Sequence, residues 1–215
     1  MNQASAEAKV ATPLTPAPTP FEYFARATLQ GFNANKTSWI GLAIFLIVVG
    51  NAVSRSNPEA QAMLEQDIPH ISFPQALGRF LIGSRQSLVI TGTHGKTTTT
   101  ALAAWVLTCA GLDPGFFVGG VPVNFGSGWK VGGGKQVVIE GDEYDTAFFD
   151  KGPKFLHYRP GNVILTSIEF DHADIYRDLD HVKSAFLRLM DIIPDDGSLV
   201  LCAGYPAAQE LAAAA

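Results

Sequence analysis

From Ser87 onward, short apolar runs alternate with amphipathic stretches, and this alternation constrains the fold more than anything else in the 215 residues. The runs are SLVIT at 87–91, QVVIE at 136–140, NVILTSI at 162–168 and SLVLC at 198–202; the stretches are 98–110 and 178–193. Strands separated by helices predict an α/β fold, a mostly parallel sheet with covering helices. Leu102, Trp105, Val106 and Cys109 share one face of the first helix, and Leu179, Val182, Phe186, Leu189 and Ile193 one face of the second. Both faces are expected in the core. Cys109 and Cys202 then read as buried, and two distant cysteines suggest neither a disulfide framework nor a metal cluster. A reducing, cytoplasmic location fits.

In open parallel sheets, ligands collect beyond the carboxyl ends of the strands. Three strand tips are therefore informative. The first is Gly92-Thr93-His94-Gly95-Lys96-Thr97, followed by Thr98. Small glycines let backbone N–H groups converge on phosphate oxygens, a lysine adds a point charge, and a threonine hydroxyl can hold magnesium. The helix that follows would aim its positive end at the same anion. The usual spacing GxxxxGK[ST] asks for glycine at position 90, where this chain has Ile90, so only a shorter form is present. Two readings stand: a nucleotide-binding loop, or a glycine turn between strand and helix.

The second tip is Glu140-Gly141-Asp142-Glu143-Tyr144-Asp145. Magnesium takes hard oxygen ligands while bridging phosphates, and Glu140 at the strand end is the first choice; the other reading is a solvated acidic turn. Asp142, Glu143 and Asp145 cannot all crowd one ion, so some are expected to orient neighbours or the glycine loop. The third tip is Glu169-Phe170-Asp171-His172-Ala173-Asp174. His172 reads either as a structural histidine or as a ligand for a second metal or a phosphoryl oxygen, with Asp171 and Asp174 fixing its tautomer. The stretches 119–126 and 151–160 read as loops, in which Lys154 and Arg159 are either surface charges or contacts for an anionic substrate.

Residues 1–20 are rich in Ala, Pro and Thr without apolar periodicity and predict a disordered tail. The apolar run 39–53 is too short for the ~20 residues of a spanning helix and is read as a buried strand, so no membrane partner is expected. Asn57 and Pro58 form a helix start for PEAQAMLEQ, and 70–73 reads as a short strand. A formal net charge of -5 with scattered lysines and arginines gives no electrostatic footprint for nucleic acid. The chain stops at QELAAAA inside an expected helix, which predicts a truncated domain.

Taken together, these strings resemble the Mur ligase family, the ATP-dependent amide-forming enzymes of bacterial peptidoglycan assembly. TGTHGKTTT at 91–99 is similar to that family's short phosphate loop, and EGDEYD and EFDHAD to its two metal-site motifs. GGVPVNFG at 119–126, EYDTAFFDK at 143–151, KFLHYRP at 154–160 and GNAVSRSNP at 50–58 resemble one branch. Members of that branch rejoin murein tripeptide, L-alanyl-γ-D-glutamyl-meso-diaminopimelate, to UDP-N-acetylmuramate through an acyl phosphate.

The resemblance implies a P-loop central domain at 84–215, incomplete, preceded by part of a Rossmann-like UDP-sugar-binding domain at 21–83, with the carboxyl-terminal domain absent. It implies ATP and Mg2+ as cofactors, with Gly92, Thr93, His94, Gly95, Lys96, Thr97 and Thr98 holding the nucleotide. Lys96 and His172 would be catalytic, Thr97 and Glu140 would hold a first magnesium, and His172 a second. UDP-N-acetylmuramate and the tripeptide would be the partners, and weak or absent activity is expected of the chain by itself. A stand-alone nucleotide-binding module and a non-enzymatic gene remnant are the alternatives. The chain departs from the family's pattern in lacking a glycine-rich strand-turn-helix within 1–45, and in Ser167, expected as asparagine, and Gly141, expected as alanine. Phe186 stands where other branches carry a carbamylated lysine.

Overall fold

A computed structural model describes residues 46–171 and 175–214. The proline-rich stretch 1–20, residues 39–45 of the apolar run, and His172 and Asp174 lie outside the described residues.

In chain order the elements are β1 (Ile47–Val49), α1 (Pro58–Glu65), β2 (His70–Ser72), α2 (Phe73–Ala76), β3 (Gln86–Thr91), α3 (Lys96–Cys109), β4 (Gly115–Phe117), β5 (Trp129–Lys130), β6 (Gln136–Gly141), β7 (Asp145–Ala147), β8 (Asp150–Pro153), β9 (Asn162–Leu165), α4 (Leu179–Met190), β10 (Ser198–Leu201) and α5 (Pro206–Ala214). A wide turn at Leu77–Ile82 continues α2, and a short helical turn at Lys154–His157 follows β8. The main sheet runs β10-β9-β3-β6-β4-β5, parallel except where β5 meets β4. The expected α/β architecture is present.

Because side chains alternate across a strand, the central strands feed two cores. Val89, Val137 and Ile139 join Phe155, Tyr158, Val182, Phe186 and Leu189 on one face. Ile90 and Val138 join Ala104, Phe116 and Val118 on the other. Covering helices on both faces explain why β3 and β6 read as unbroken apolar runs instead of alternating ones. The expected face of α4 is the buried one: Val182, Phe186 and Leu189 are fully covered, and Leu179 and Ile193 pack against them.

On α3 the expectation fails. Leu102 and Val106 are 60% and 55% exposed, and Trp105 and Cys109 are exposed as well. The covered residues are Thr100 and Ala104, with Leu107 beside them. Thr97, Thr100, Ala104 and Leu107 follow one another at helical spacing. Once Thr97 faces Glu140 at the tip of β6, that stripe and not the larger apolar one must lie on the sheet. The geometry at the helix start overrides amphipathicity. Cys202 is exposed too, since the chain leaves β10 at Leu201 before reaching it.

The strand expected over 162–168 ends at Leu165, because Thr166 and Ser167 turn over the glycine loop. Within 151–160, read as loop, β8 pairs with β7 as a hairpin. Of the run 39–53, Ile47–Val49 form β1, paired with β2; Val49 is buried and Val48 exposed. Asn57 caps α1 as expected, its side chain accepting from Glu59 N at 2.8 Å and Ala60 N at 3.2 Å.

Candidate functional site

The segment after β3 is a tight loop held from beneath by the segment after β9. Gly92 has φ +124°, and a Cβ there would sit 2.4 Å from Thr166 Oγ1 and 2.7 Å from the Ser167 carbonyl oxygen. Only glycine fits. Thr93 N donates to Ser167 O at 3.0 Å, His94 N to Ser167 Oγ at 2.8 Å, and Glu169 N to Thr93 Oγ1 at 2.9 Å. The Thr166 hydroxyl donates to the His94 carbonyl at 2.6 Å. This bracing was invisible in sequence, although the carboxyl-edge position of Thr166 and Ser167 was the available signal.

Gly95, with φ +78°, turns the chain into α3 and offers no capping side chain. The first N–H groups of the helix, which have no intrahelical acceptor, are thus left for an external one. Thr93, His94, Gly95, Lys96, Thr97 and Thr98 line a cavity of about 320 Å³ at this end. Gly92 lies at the base of the loop.

Lys96 folds back over the loop. Its ammonium donates to Gly92 O at 2.8 Å and Thr93 O at 3.3 Å and lies 2.9 Å from the Glu143 carboxylate. Glu143 is buried, and the loss of solvent pushes its carboxyl above the ordinary range although Lys96 pulls the other way. Tyr176 donates its hydroxyl to the Glu143 carbonyl oxygen at 2.8 Å, and burial with the Glu143 charge nearby raises its pKa, so it stays protonated.

Thr97 points the other way, donating through Oγ1 to Glu140 Oε1 at 2.9 Å. Glu140 Oε2 accepts from Gly119 N at 2.7 Å, an approach that needs a glycine because a Cβ would come within 2.9 Å of the carboxylate. The remaining acids of the second tip answer to lysines: Asp142 pairs with Lys154 at 2.7 Å and Asp145 with Lys151 at 2.8 Å. Lys154 is therefore no free surface charge, whereas Arg159 is exposed. His94 and Glu169 meet at 3.0 Å with both side chains more than half exposed, a pair of little energetic weight.

Among the described residues no group of three or more His, Cys, Asp or Glu is suited to a metal. Where the start of α3 meets the tip of β6, two hard oxygen donors nevertheless face one another: the Thr97 hydroxyl, whose residue lines the cavity, and the Glu140 carboxylate. That donor set fits magnesium, which takes one or two protein ligands and keeps its waters. No helix among the described residues is long and apolar enough to cross a membrane.

Comparison with known proteins identifies the family. Residues 90–215 match the family model of the Mur ligase middle domain. The chain is 48% identical over 155 residues to the UDP-N-acetylmuramate–L-alanyl-γ-D-glutamyl-meso-2,6-diaminoheptandioate ligase of Escherichia coli K12, covering 72% of this chain and 34% of that one. To the ligase of the same name from Haemophilus influenzae it is 44% identical over 165 residues, covering 77% and 36%. The crystal structure of the Neisseria meningitides UDP-N-acetylmuramate:L-alanyl-γ-D-glutamyl-meso-diaminopimelate ligase superposes with a TM-score of 0.75 at 39% identity, over 88% of this chain and 58% of that one. The chain thus spans about a third of the length of the curated relatives it matches. A short glycine loop braced from β9, with its threonine set against the acid ending β6, falls within the matched middle domain, and the chain belongs to the Mur ligase family.

Proposed function

We propose that this chain carries the nucleotide-binding half of an ATP-dependent amide ligase of peptidoglycan recycling, one that joins L-alanyl-γ-D-glutamyl-meso-diaminopimelate to UDP-N-acetylmuramate. The observation that carries the reading is the divergence of two adjacent side chains at one helix start, Lys96 toward the loop and Thr97 toward Glu140. The naming of the Escherichia coli and Haemophilus influenzae relatives supports the substrate assignment.

In this reading the backbone N–H groups at the start of α3 bind the polyphosphate, and Lys96 exchanges part of its contact with Glu143 for phosphate oxygens. Thr97 and Glu140 hold a magnesium ion, which supplies charge neutralisation at the transferring phosphoryl group. His172, three residues beyond Glu169 in the sequence, serves a second ion, and contacts of Thr166, Ser167 and Glu169 keep the segment directly after β9 in register with the loop. Activation of the sugar carboxylate as an acyl phosphate prepares it for attack by the peptide amine, and fixed positions supply most of the rate. Residues 21–83 contribute to the sugar-nucleotide side and 84–215 to the ATP side. In isolation these 215 residues bind MgATP and form product slowly or not at all.

The test is release of ADP with MgATP, UDP-N-acetylmuramate and tripeptide, alongside direct binding of MgATP. The expected result is binding that Lys96→Ala abolishes. Hydrolysis indifferent to both cell-wall substrates would assign a stand-alone nucleotide hydrolase instead.

A further inference from the structure

A second cavity, of about 500 Å³, opens where β3 and β9 begin, at the opposite edge of the sheet from the glycine loop. The length of β3 separates the two, about 17 Å at ~3.3 Å per residue. Its walls are Gln75, Gly78, Arg79, Leu156, His157 and Arg159: two guanidiniums, one imidazole and no carboxylate.

The backbone around it is constrained in two places. Arg159 holds φ +45°, a left-handed conformation uncommon for a side chain of this size. It is fixed there by the Ser87 hydroxyl, which donates to the Arg159 carbonyl at 2.5 Å while accepting from Gly161 N at 2.9 Å. The wide turn that carries Arg79 closes with a bond from Gly83 N to Gly78 O at 3.1 Å, five residues apart, a form frequent at functional sites. Gly78 packs backbone to backbone on His157, where a Cβ would lie 2.1 Å from the carbonyl oxygen, and this contact brings the two arginine-bearing segments together.

The donors of this cavity are lightly engaged. Among the described residues neither guanidinium has a carboxylate partner: Arg79 lies 5.4 Å over the Phe80 ring, and Arg159 reaches only the Gly83 carbonyl at 3.4 Å. The Gln75 carbonyl accepts from Ser72 N, which leaves its NH2 to donate. His157 turns Nε2 to Asp150 at 2.8 Å, so that carboxylate is already answered.

We infer that this cavity binds a phosphomonoester. Two forked guanidiniums from different elements suit a dianion with several oxygens, and Leu156 offers an apolar wall to the esterified group. The volume is that of a small-molecule site and exceeds what free phosphate would fill.

The experiment is a residue-resolved NMR titration of the full chain with phenyl phosphate, with inorganic phosphate in parallel. Amide shifts at Gly78, Gly83, Arg159 and Gly161 should saturate, at lower concentration for phenyl phosphate, independently of shifts at Gly95 and Lys96. Arg79→Gln, on an exposed turn, should weaken this binding about tenfold or more, as should Arg159→Gly, which suits the positive φ. Shifts that rise linearly without saturation, or that survive both substitutions, would overturn the site. Equal affinity for inorganic phosphate would overturn the ester.

Discussion

The Lys96 ammonium lies 2.9 Å from the Glu143 carboxylate, with the two side chains 13% and 4% exposed, so the cation of the glycine loop is held against a buried anion. The contact spans 47 residues of sequence and joins the start of α3 to the tip of β6. A lysine in such a place is aimed before any ligand arrives, at the cost of burying its counter-ion.

Replacing Lys96 by methionine keeps the stem and removes the charge. MgATP affinity should fall tenfold or more, since a charge-assisted bond contributes about 1.5–3 kcal/mol. Glu143 would also be left buried without its cation, which should cost about 3 kcal/mol near neutral pH and less in acid, where the carboxyl is protonated. Calorimetric binding and urea unfolding at two pH values check both halves.

Glu143 itself should give stability a definite pH slope. Its folded pKa is raised above the ordinary 4.5, chiefly by desolvation. Between the two values the folded chain binds more protons than the unfolded one, so this group's contribution is fully present below the unfolded value and is lost as pH rises through the folded one. Glu143→Gln cannot titrate. The difference in urea midpoint, parent minus Gln variant, should therefore decline as pH rises above the unfolded carboxyl's 4.5; a rising difference would contradict the burial account.

Thr97 and Glu140 should behave as one unit toward magnesium. Thr97→Ala and Glu140→Gln are each expected to weaken Mg2+-dependent ATP binding by about tenfold, and the double variant by less than the product, with a coupling of about 1 kcal/mol. In EDTA all four proteins should bind ATP alike. Additive losses, or losses that persist without magnesium, would separate the two residues.

How much of this was readable in advance follows from where the information lies. The four strands from 87 onward and the buried face of α4 are local apolar patterns, and they were legible. The facing of Thr97 and Glu140 was legible as a choice of residues but not as a contact, since it depends on β3 and β6 being neighbours. The exposed stripe of Leu102, Trp105 and Val106 was misread because rotation of α3 is set at its first turn and not by its apolar average. Strands β4 and β5 carry three and two residues, too few for any period to register. Glu143 was one acid among four in EGDEYD, and nothing in that string says which turns inward.

Ser167 offers the sharpest test of whether the loop is positioned from below. It is buried, and its hydroxyl accepts the His94 N–H at 2.8 Å while its carbonyl accepts that of Thr93 at 3.0 Å. Ser167→Ala removes the first acceptor only, leaving a backbone donor unmet at a cost of about 1–3 kcal/mol. Because the freed N–H belongs to the loop, the loss should appear in ligand affinity as well as in stability: MgATP binding several-fold weaker, with faster amide exchange at His94 and Gly95. Ser167→Asn keeps a side-chain acceptor and should restore exchange protection even where its extra bulk lowers the melting temperature. An alanine variant that loses stability yet binds MgATP as the parent does would mean that the Ser167 hydroxyl serves the fold and not the loop's aim.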